Sequence, residues 1–456
     1  MKYENINQKI EEMREEILAS IKESVAIESV KGEAKENVPY GEGPKKALDH
    51  ALALGEKLGF KTGNLDNRIG WVEYGEGEEM AAVLGHVDIV PLGEGWDYDP
   101  LGCEIHDGKM YGRGVLDDKG PTIAAIYGLK AIRDLELPID RRIRVIFGCD
   151  EENGSSCVQH YVESGAEMPT IGFTPDADFP VIFFEKGQSF WELTKRVEEK
   201  STVKVLSIKG GTAKNVVMPR CTMVVEGDFD FKETEAIKVI KENGNTVIVS
   251  NGRGAHGSTP HLGTNSAIQL FKELKAQGIN LGGDLQRLVD FVTEKIGDET
   301  QGESLGAFNS DEETGNTSVC LGMIDCTEDS LEITLDIRYP NHTDRDELVA
   351  NVKKSAEAYG LEGNLVGEGK MLYVSKESEL VQKLVNVYTE ETGDVQEPIA
   401  IGGGTYAKAF NNMVAFGPIF PGDPDVIHQP NECADVEKMI KSYQIITAAM
   451  YEIACK

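Results

Sequence analysis

The stretch Val83–Pro91, VLGHVDIVP, decides how this chain is read. Together with the preceding Met80–Ala82 its apolar run predicts a buried strand over about residues 80–87. The run ends on His86 and Asp88, an imidazole and a carboxylate two residues apart. On a strand that spacing points both side chains to one face. There a carboxylate can accept the hydrogen bond of one ring nitrogen and leave the other nitrogen to a metal ion. Taken alone, H-x-D is a weak motif, and a hydrogen-bonded histidine closing a strand explains it more often than a metal ligand does.

Working outward, other acids and one further histidine gather where short apolar segments end. YGRGVLDDKGP places Asp117 and Asp118 in a Gly-rich loop before a helix predicted to start near Pro121. FGCDEENGS crowds Asp150, Glu151 and Glu152 at the end of the apolar strand RRIRVIFG, and GFTPDADFP sets Asp176 and Asp178 after another apolar segment. PGDPDVIHQPNE holds His428 in a loop. Each has an ordinary alternative, as an N-cap, a turn or a helix N-terminus that offsets acid repulsion. Together, five strand-end loops supply one His, one Asp, one Glu, one Asp and one His, the ligand set of two zinc ions sharing a carboxylate. Because Glu151 and Glu152 are neighbours, one can bind metal while the other serves as a general base.

The rest of the chain bounds this reading. At 456 residues it is long enough for two domains, or one domain with a large insertion. Its apolar runs are only strand-length, far short of the roughly 20 residues that cross a bilayer, so no membrane partner is expected. The N-terminal MKYENINQKIEEMREEILASIKESV reads as one amphipathic helix without a signal-peptide core, which places the protein in the cytoplasm. A net charge of −32 argues against nucleic acid, because phosphate contacts need clustered Lys and Arg. The eight cysteines form no C-x-x-C pair, which excludes a zinc ribbon or a disulfide framework and fits a reducing compartment.

Strands at about 69–74 and 80–87 alternate with helical patterns such as GPKKALDHALALGEKLGF, predicting an α/β fold with a mixed sheet and helices on both faces. Ligands of such sheets collect at the carboxyl ends of the strands. Near Gly187 the texture becomes strand-rich α+β, with KVLSIKG, TMVVEGDF, TVIVSNG, SVCLGMIDC and LEITLDIRYP as its strands. The expected organisation is a catalytic domain over 1–187 and 375–456, with an inserted domain over 188–374.

In order, GHVDIVP, GWDYDPLG, DGKMYGRGVLDDKGP, DEENGS, TPDADFP, GAHGSTP and DVIHQPNE resemble the zinc-dependent aminoacylase, carboxypeptidase and carnosinase family of metallopeptidases. FTPDADFPVIFFEKG and IGGGTYAK resemble most its bacterial dipeptidase V branch, the Xaa-His or β-alanyl dipeptidases. The resemblance implies a di-zinc exopeptidase-like catalytic domain with an inserted lid. It implies that His86 and Asp176 bind one zinc, Glu152 and His428 the other, and Asp117 bridges both, with Mn or Co as alternative metals. It further implies Asp88 orienting His86, Glu151 as catalytic base and a cis peptide between Asp117 and Asp118. From the inserted segment it implies His256 as oxyanion stabiliser, Arg338 as clamp for the substrate carboxylate, and Asn215 as a substrate contact. Gly403 and Gly404 are further substrate candidates. Lys408 stands where the family pattern has Arg, which weakens a forked carboxylate contact there.

The expected activity is hydrolysis of dipeptides with a free N-terminus. N-acyl-amino-acid hydrolysis, of the aminoacylase or desuccinylase type, is the alternative with the same metal residues. A non-catalytic metal-dependent binding protein is disfavoured by the presence of Glu151. The insertion is longer than the lid of the family's dimeric members, so the resemblance to the dipeptidase V branch implies a monomer, with a dimer as the alternative.

Overall fold

The computed structural model describes residues 2–456. The chain divides into two compact units, one of Met1–Phe184, Leu372–Ile399 and Gly404–Lys456, the other of Glu185–Met371 and Ala400–Gly403. Relative to the boundaries read from the sequence, the second unit begins and ends three residues earlier and gains Ala400–Gly403. The reason is local bonding: Lys186 N donates to Ile401 O at 3.1 Å, and Arg338 Nη1 donates to Gly402 O at 2.6 Å.

The first unit is built on a mixed sheet. Its strands run in the spatial order Lys61–Leu65, Ile69–Tyr74, Arg142–Gly148, Met80–His86, Ile171–Thr174, Met413–Ala415, Ile182–Glu185 and Leu372–Tyr373. Met80–His86 lies parallel to Arg142–Gly148 on one side and to Ile171–Thr174 on the other. Every residue of Met80–His86 and Arg142–Gly148 is buried, as continuous apolar strands in the middle of a parallel sheet require.

Helices cover both faces. Val72 meets Gly55 of the helix Glu42–Lys57, while its neighbour Trp71 meets Tyr161 of the helix Ser156–Glu163 edge-on at 6.1 Å. The strand Lys61–Leu65 escapes a hydropathy reading because it is a polar edge strand held by register against Ile69–Tyr74. The single N-terminal helix expected from the sequence is instead two, Glu4–Glu12 and Arg14–Val25, with Met13 N shared between Lys9 O and Ile10 O. Ile6, Ile10, Met13, Ile17 and Ile21 are all buried, so the apolar stripe runs through the break and conceals it in the sequence.

The second unit is an eight-stranded sheet, antiparallel throughout: Ile237–Glu242, Asn245–Asn251, Arg220–Glu226, Val205–Gly210, Ser318–Thr327, Ser330–Tyr339, Gly187–Arg196 and Glu362–Gly369. Gly187–Arg196 alternates buried and half-buried positions, the period of a strand with one covered face. Trp191, Leu193, Ile208, Phe271, Leu288 and Leu335 belong to its core, to which the helices Ser266–Ala276, Gly283–Phe291 and Arg345–Glu357 contribute. Among the described residues no helix is long and apolar enough to cross a membrane.

Candidate metal centre

Three parallel strands deliver their carboxyl ends to one edge of the first unit. His86 closes Met80–His86, Glu151 and Glu152 follow Arg142–Gly148, and Asp176 follows Ile171–Thr174. Asp117 comes from the loop before the helix Lys119–Asp134, and His428 from a loop in which it adopts a left-handed φ of 60°. The Asp117–Asp118 peptide is cis.

Asp117 stands at the centre. Its Oδ1 lies 2.9 Å from His86 Nε2 and its Oδ2 lies 2.8 Å from His428 Nε2, so its two oxygens address two different imidazoles. Beyond His86, Asp176 Oδ2 is 3.7 Å from Nε2; beyond His428, Glu152 Oε2 is 3.1 Å from Nε2. His86, Asp117 and Glu152 offer ligand atoms all within 4.8 Å of one another, and so do His86, Glu151 and Asp176.

The supports differ from the sequence reading in one respect. Asp88 lies beyond the end of its strand, and His86 Nδ1 donates to the Asp88 carbonyl oxygen at 3.1 Å, with the carboxylate at 3.6 Å. The fully buried Asp88 carboxylate instead accepts Glu151 N on Oδ1 at 3.1 Å and Glu152 N on Oδ2 at 3.2 Å. One residue thereby fixes the imidazole and both glutamates.

Residues to which the sequence assigned no supporting role complete the scaffold. Asp118 Oδ2 accepts His86 N at 3.1 Å and Thr122 Oγ1 at 3.0 Å, tying the strand end to the start of the following helix. Gly85 permits that approach, since a Cβ there would sit 2.1 Å from Thr122 Oγ1. Glu432 Oε1 accepts Gly114 N at 3.0 Å and Leu116 N at 3.1 Å, while its Oε2 accepts Arg113 Nη1 at 2.8 Å. This buried acid joins the His428 loop to the loop carrying Asp117. The ring of Tyr406 meets that of His86 edge-on at 6.0 Å.

The protein's own charges do not balance here. Burial pushes Glu151 up to about 8, with the Glu152 and Asp117 charges adding to it. Burial likewise raises Glu152, and it raises Asp176 well above the usual carboxylate range with help from Asp117. Burial opposes the charge on His86, yet the hydrogen bond to Asp117 and the nearby Asp88 and Asp176 carboxylates hold its pKa well above the ordinary value. Hydrogen bonds to Asp117 and Glu152 lift His428 to about 10. Burial also acts against the Asp117 carboxylate, but the hydrogen bonds from His428 and His86 depress its pKa. Clustered carboxylates that retain protons because of burial and one another's charge are what a divalent cation relieves, and imidazole with carboxylate is a donor set that zinc accepts. The residues present fit a metal.

Of the sequence-predicted substrate residues, Asn215, His256, Arg338 and Gly403 lie in the second unit. Arg338 is buried; its Nε and Nη2 donate to Asp336 Oδ2 at 3.0 and 2.8 Å, and Nη2 lies 3.5 Å from His256 Nε2. His256 Nδ1 is 2.7 Å from Ser258 Oγ. Asn215 O accepts Gly257 N at 2.7 Å, and Val216 bridges His256, which fixes the Asn215 and His256 segments side by side. Gly403 belongs to this unit and Gly404 to the other. A Cβ at Gly404 would lie 2.4 Å from Lys408 Nζ.

Comparison with known proteins agrees with this architecture. A sequence model described as Peptidase family M20/M25/M40 matches residues 82–452. A Bacillus subtilis (strain 168) protein named "Putative dipeptidase YtjP" is 37% identical over 461 residues, covering 97% of this chain and 98% of that protein. The crystal structure of human carnosine dipeptidase 1 has the same fold, with a TM-score of 0.61 at 17% identity over 100% of this chain and 99% of that one. Aminoacylhistidine dipeptidase from Vibrio alginolyticus gives a TM-score of 0.57 at 13% identity, covering 95% of this chain and 96% of that one. With the matched stretch taking in every candidate metal ligand, this chain belongs to peptidase family M20/M25/M40.

Proposed function

We propose that the protein is a metal-dependent dipeptidase whose metal centre holds two zinc ions. The observation that carries this reading is Asp117, whose two oxygens address His86 and His428 separately, each imidazole having a second acid beside it. In this assignment His86 and Asp176 would hold one ion, Glu152 and His428 the other, and Asp117 would be shared between them. Manganese or cobalt would take the same ligands. When bound, such an ion pair polarises the scissile carbonyl and lowers the pKa of water.

The protein's own residues do the rest. Glu151 is the proton carrier: it takes a proton from the attacking water and returns it to the leaving amine. Burial and neighbouring acids raise its pKa to about 8. A carboxyl held above its ordinary range by burial can both accept and donate a proton near neutral pH. Asp88 holds Glu151 and Glu152 through their main-chain amides, which keeps the carrier beside the ligand.

Recognition of the substrate carboxylate is assigned to Arg338, whose fork is oriented by Asp336, and stabilisation of the oxyanion to His256. Asn215 and the backbone at Gly403 and Gly404 are assigned to substrate binding. Dipeptides are the substrate class, with Xaa-His or β-alanyl dipeptides as the branch resembled. All eight cysteines are free thiols, which supports a cytoplasmic protein. A monomer is the proposed state, with a dimer as the alternative.

The test is a panel of dipeptides, tripeptides and N-acyl amino acids offered to the purified, zinc-loaded protein. Fastest turnover of dipeptides is expected. Preferential cleavage of N-acyl amino acids would replace the dipeptidase reading by an amidohydrolase one.

A further inference from the structure

Residues 24–31, which lie before the matched stretch 82–452, touch three loops that carry candidate ligands. At the His86 loop, Ser29 Oγ donates to Val87 O at 2.6 Å, Ile89 N donates to Ser29 O at 3.3 Å, and Val30 bridges Ile89. At the Asp117 loop, the fully buried Lys119 donates from Nζ to Ser24 O at 3.0 Å, in the last turn of the helix Arg14–Val25, and to Ile27 O at 2.5 Å, two residues past its end. At the Glu151 loop, Lys31 Nζ lies 2.7 Å from Oδ1 of the fully buried Asp150. The segment has no room to retreat, because Gly43 of the helix Glu42–Lys57 runs against it. A Cβ at Gly43 would lie 2.2 Å from Glu28 O.

Loops from separate strands hold one metal centre only if their relative positions are fixed to within about half an ångström. The acids they carry repel one another, and the sheet fixes only where each loop begins. We propose that Ser24–Lys31 is a strap that sets the three ligand loops against one another, with Lys119 and Lys31 as positioning residues. The inference rests on reading the cluster as a metal centre. It assigns to the N-terminal segment a part in metal retention.

Lys31→Ala is the principal variant because that side chain is 36% exposed, so its removal leaves the core intact. Lys31→Arg is the conservative rescue, and Lys119→Met tests the buried anchor. Zinc affinity is read by competition with a chromophoric chelator, turnover by kcat and KM separately, and loop mobility by amide hydrogen exchange on chelator-treated protein. For Lys31→Ala we expect zinc bound at least tenfold more weakly, a lower kcat at unchanged KM, and at least tenfold faster exchange at the Glu151 and Glu152 amides. Exchange in the strand Asn245–Asn251 should not change, and Lys31→Arg should restore the wild-type values. Lys119→Met should give the same pattern, with exchange faster at the Ile89 amide.

Wild-type zinc affinity and exchange in Lys31→Ala would overturn the strap. Faster exchange throughout the chain, including Asn245–Asn251, would also overturn it, by showing only global loosening. Should the wild-type protein bind no zinc, the metal reading fails, and the exchange comparison still decides whether the strap positions these loops.

Discussion

Asp88→Asn is the substitution that most sharply separates a positioning carboxylate from a buried acid of no consequence. The side chain keeps its shape but loses its charge and exchanges one oxygen for an NH2 group. In the native arrangement Oδ1 accepts Glu151 N and Oδ2 accepts Glu152 N. After substitution one of these amides faces a donor, and the other bonds to a neutral acceptor. A hydrogen bond to a charged group contributes about 1.5–3 kcal/mol, and a neutral one about 1. Losing the first, at about 1.5–3 kcal/mol, and weakening the second, by about 0.5–2, costs the glutamate loop about 2–5 kcal/mol. At about 1.4 kcal/mol per factor of ten, the lower end is roughly a 30-fold fall in zinc affinity or kcat/KM, within the about 10- to 100-fold range found for groups that orient metal ligands, and the upper end is larger. The assay is a chelator-competition titration beside initial rates on a dipeptide, with a melting curve to confirm folding. Zinc affinity and kcat/KM both within threefold of wild type would refute the assignment of Asp88 as organiser of the site.

Other expectations follow from the same geometry. Glu151→Gln should retain both metal ions and lose about 10²–10⁴ in kcat, checked by metal analysis and stopped assays; loss of metal would instead make Glu151 a ligand. Arg338→Lys keeps a charge but not the fork, and should raise KM about tenfold with kcat changed less, measured on one dipeptide over a full concentration range. For protein stripped by chelator, the melting temperature should fall as pH rises from 6.5 to 10. His428, raised to about 10, contributes stability that is complete below its unfolded value of 6.5 and lost as pH passes 10. Glu151, raised to about 8, costs stability as pH climbs from 4.5 through 8, so the two effects share a sign. Zinc should remove the decline, which a pair of melting series would show.

The parts of this molecule legible in its sequence are those where residue type and local pattern coincide. An apolar run ending in acid or histidine marks both a buried parallel strand and the edge where ligands gather, which makes His86, the Glu151–Glu152 pair and Asp176 legible as candidates; the choice of Glu152 over Glu151 as ligand rests on the family resemblance. Contacts between distant segments leave no such mark. Glu432 reaches the amides of Gly114 and Leu116 across more than 300 residues, and Lys119 finds its acceptors at Ser24 and Ile27. Their only signal was position: Glu432 closes the HQPNE run begun by His428, and Lys119 follows two acids. The same limit explains Asp88. The i, i+2 rule holds on a strand, but the strand stops at His86, and beyond it the carboxylate turns to the amides of another loop.

The central claim is two ions bridged by Asp117. Anomalous diffraction at the zinc edge from zinc-loaded crystals tests it most directly. The account predicts two peaks, one bound by His86 and Asp176, the other by Glu152 and His428, with Asp117 touching both. A single peak, or a pair that leaves Asp117 unligated, would contradict it.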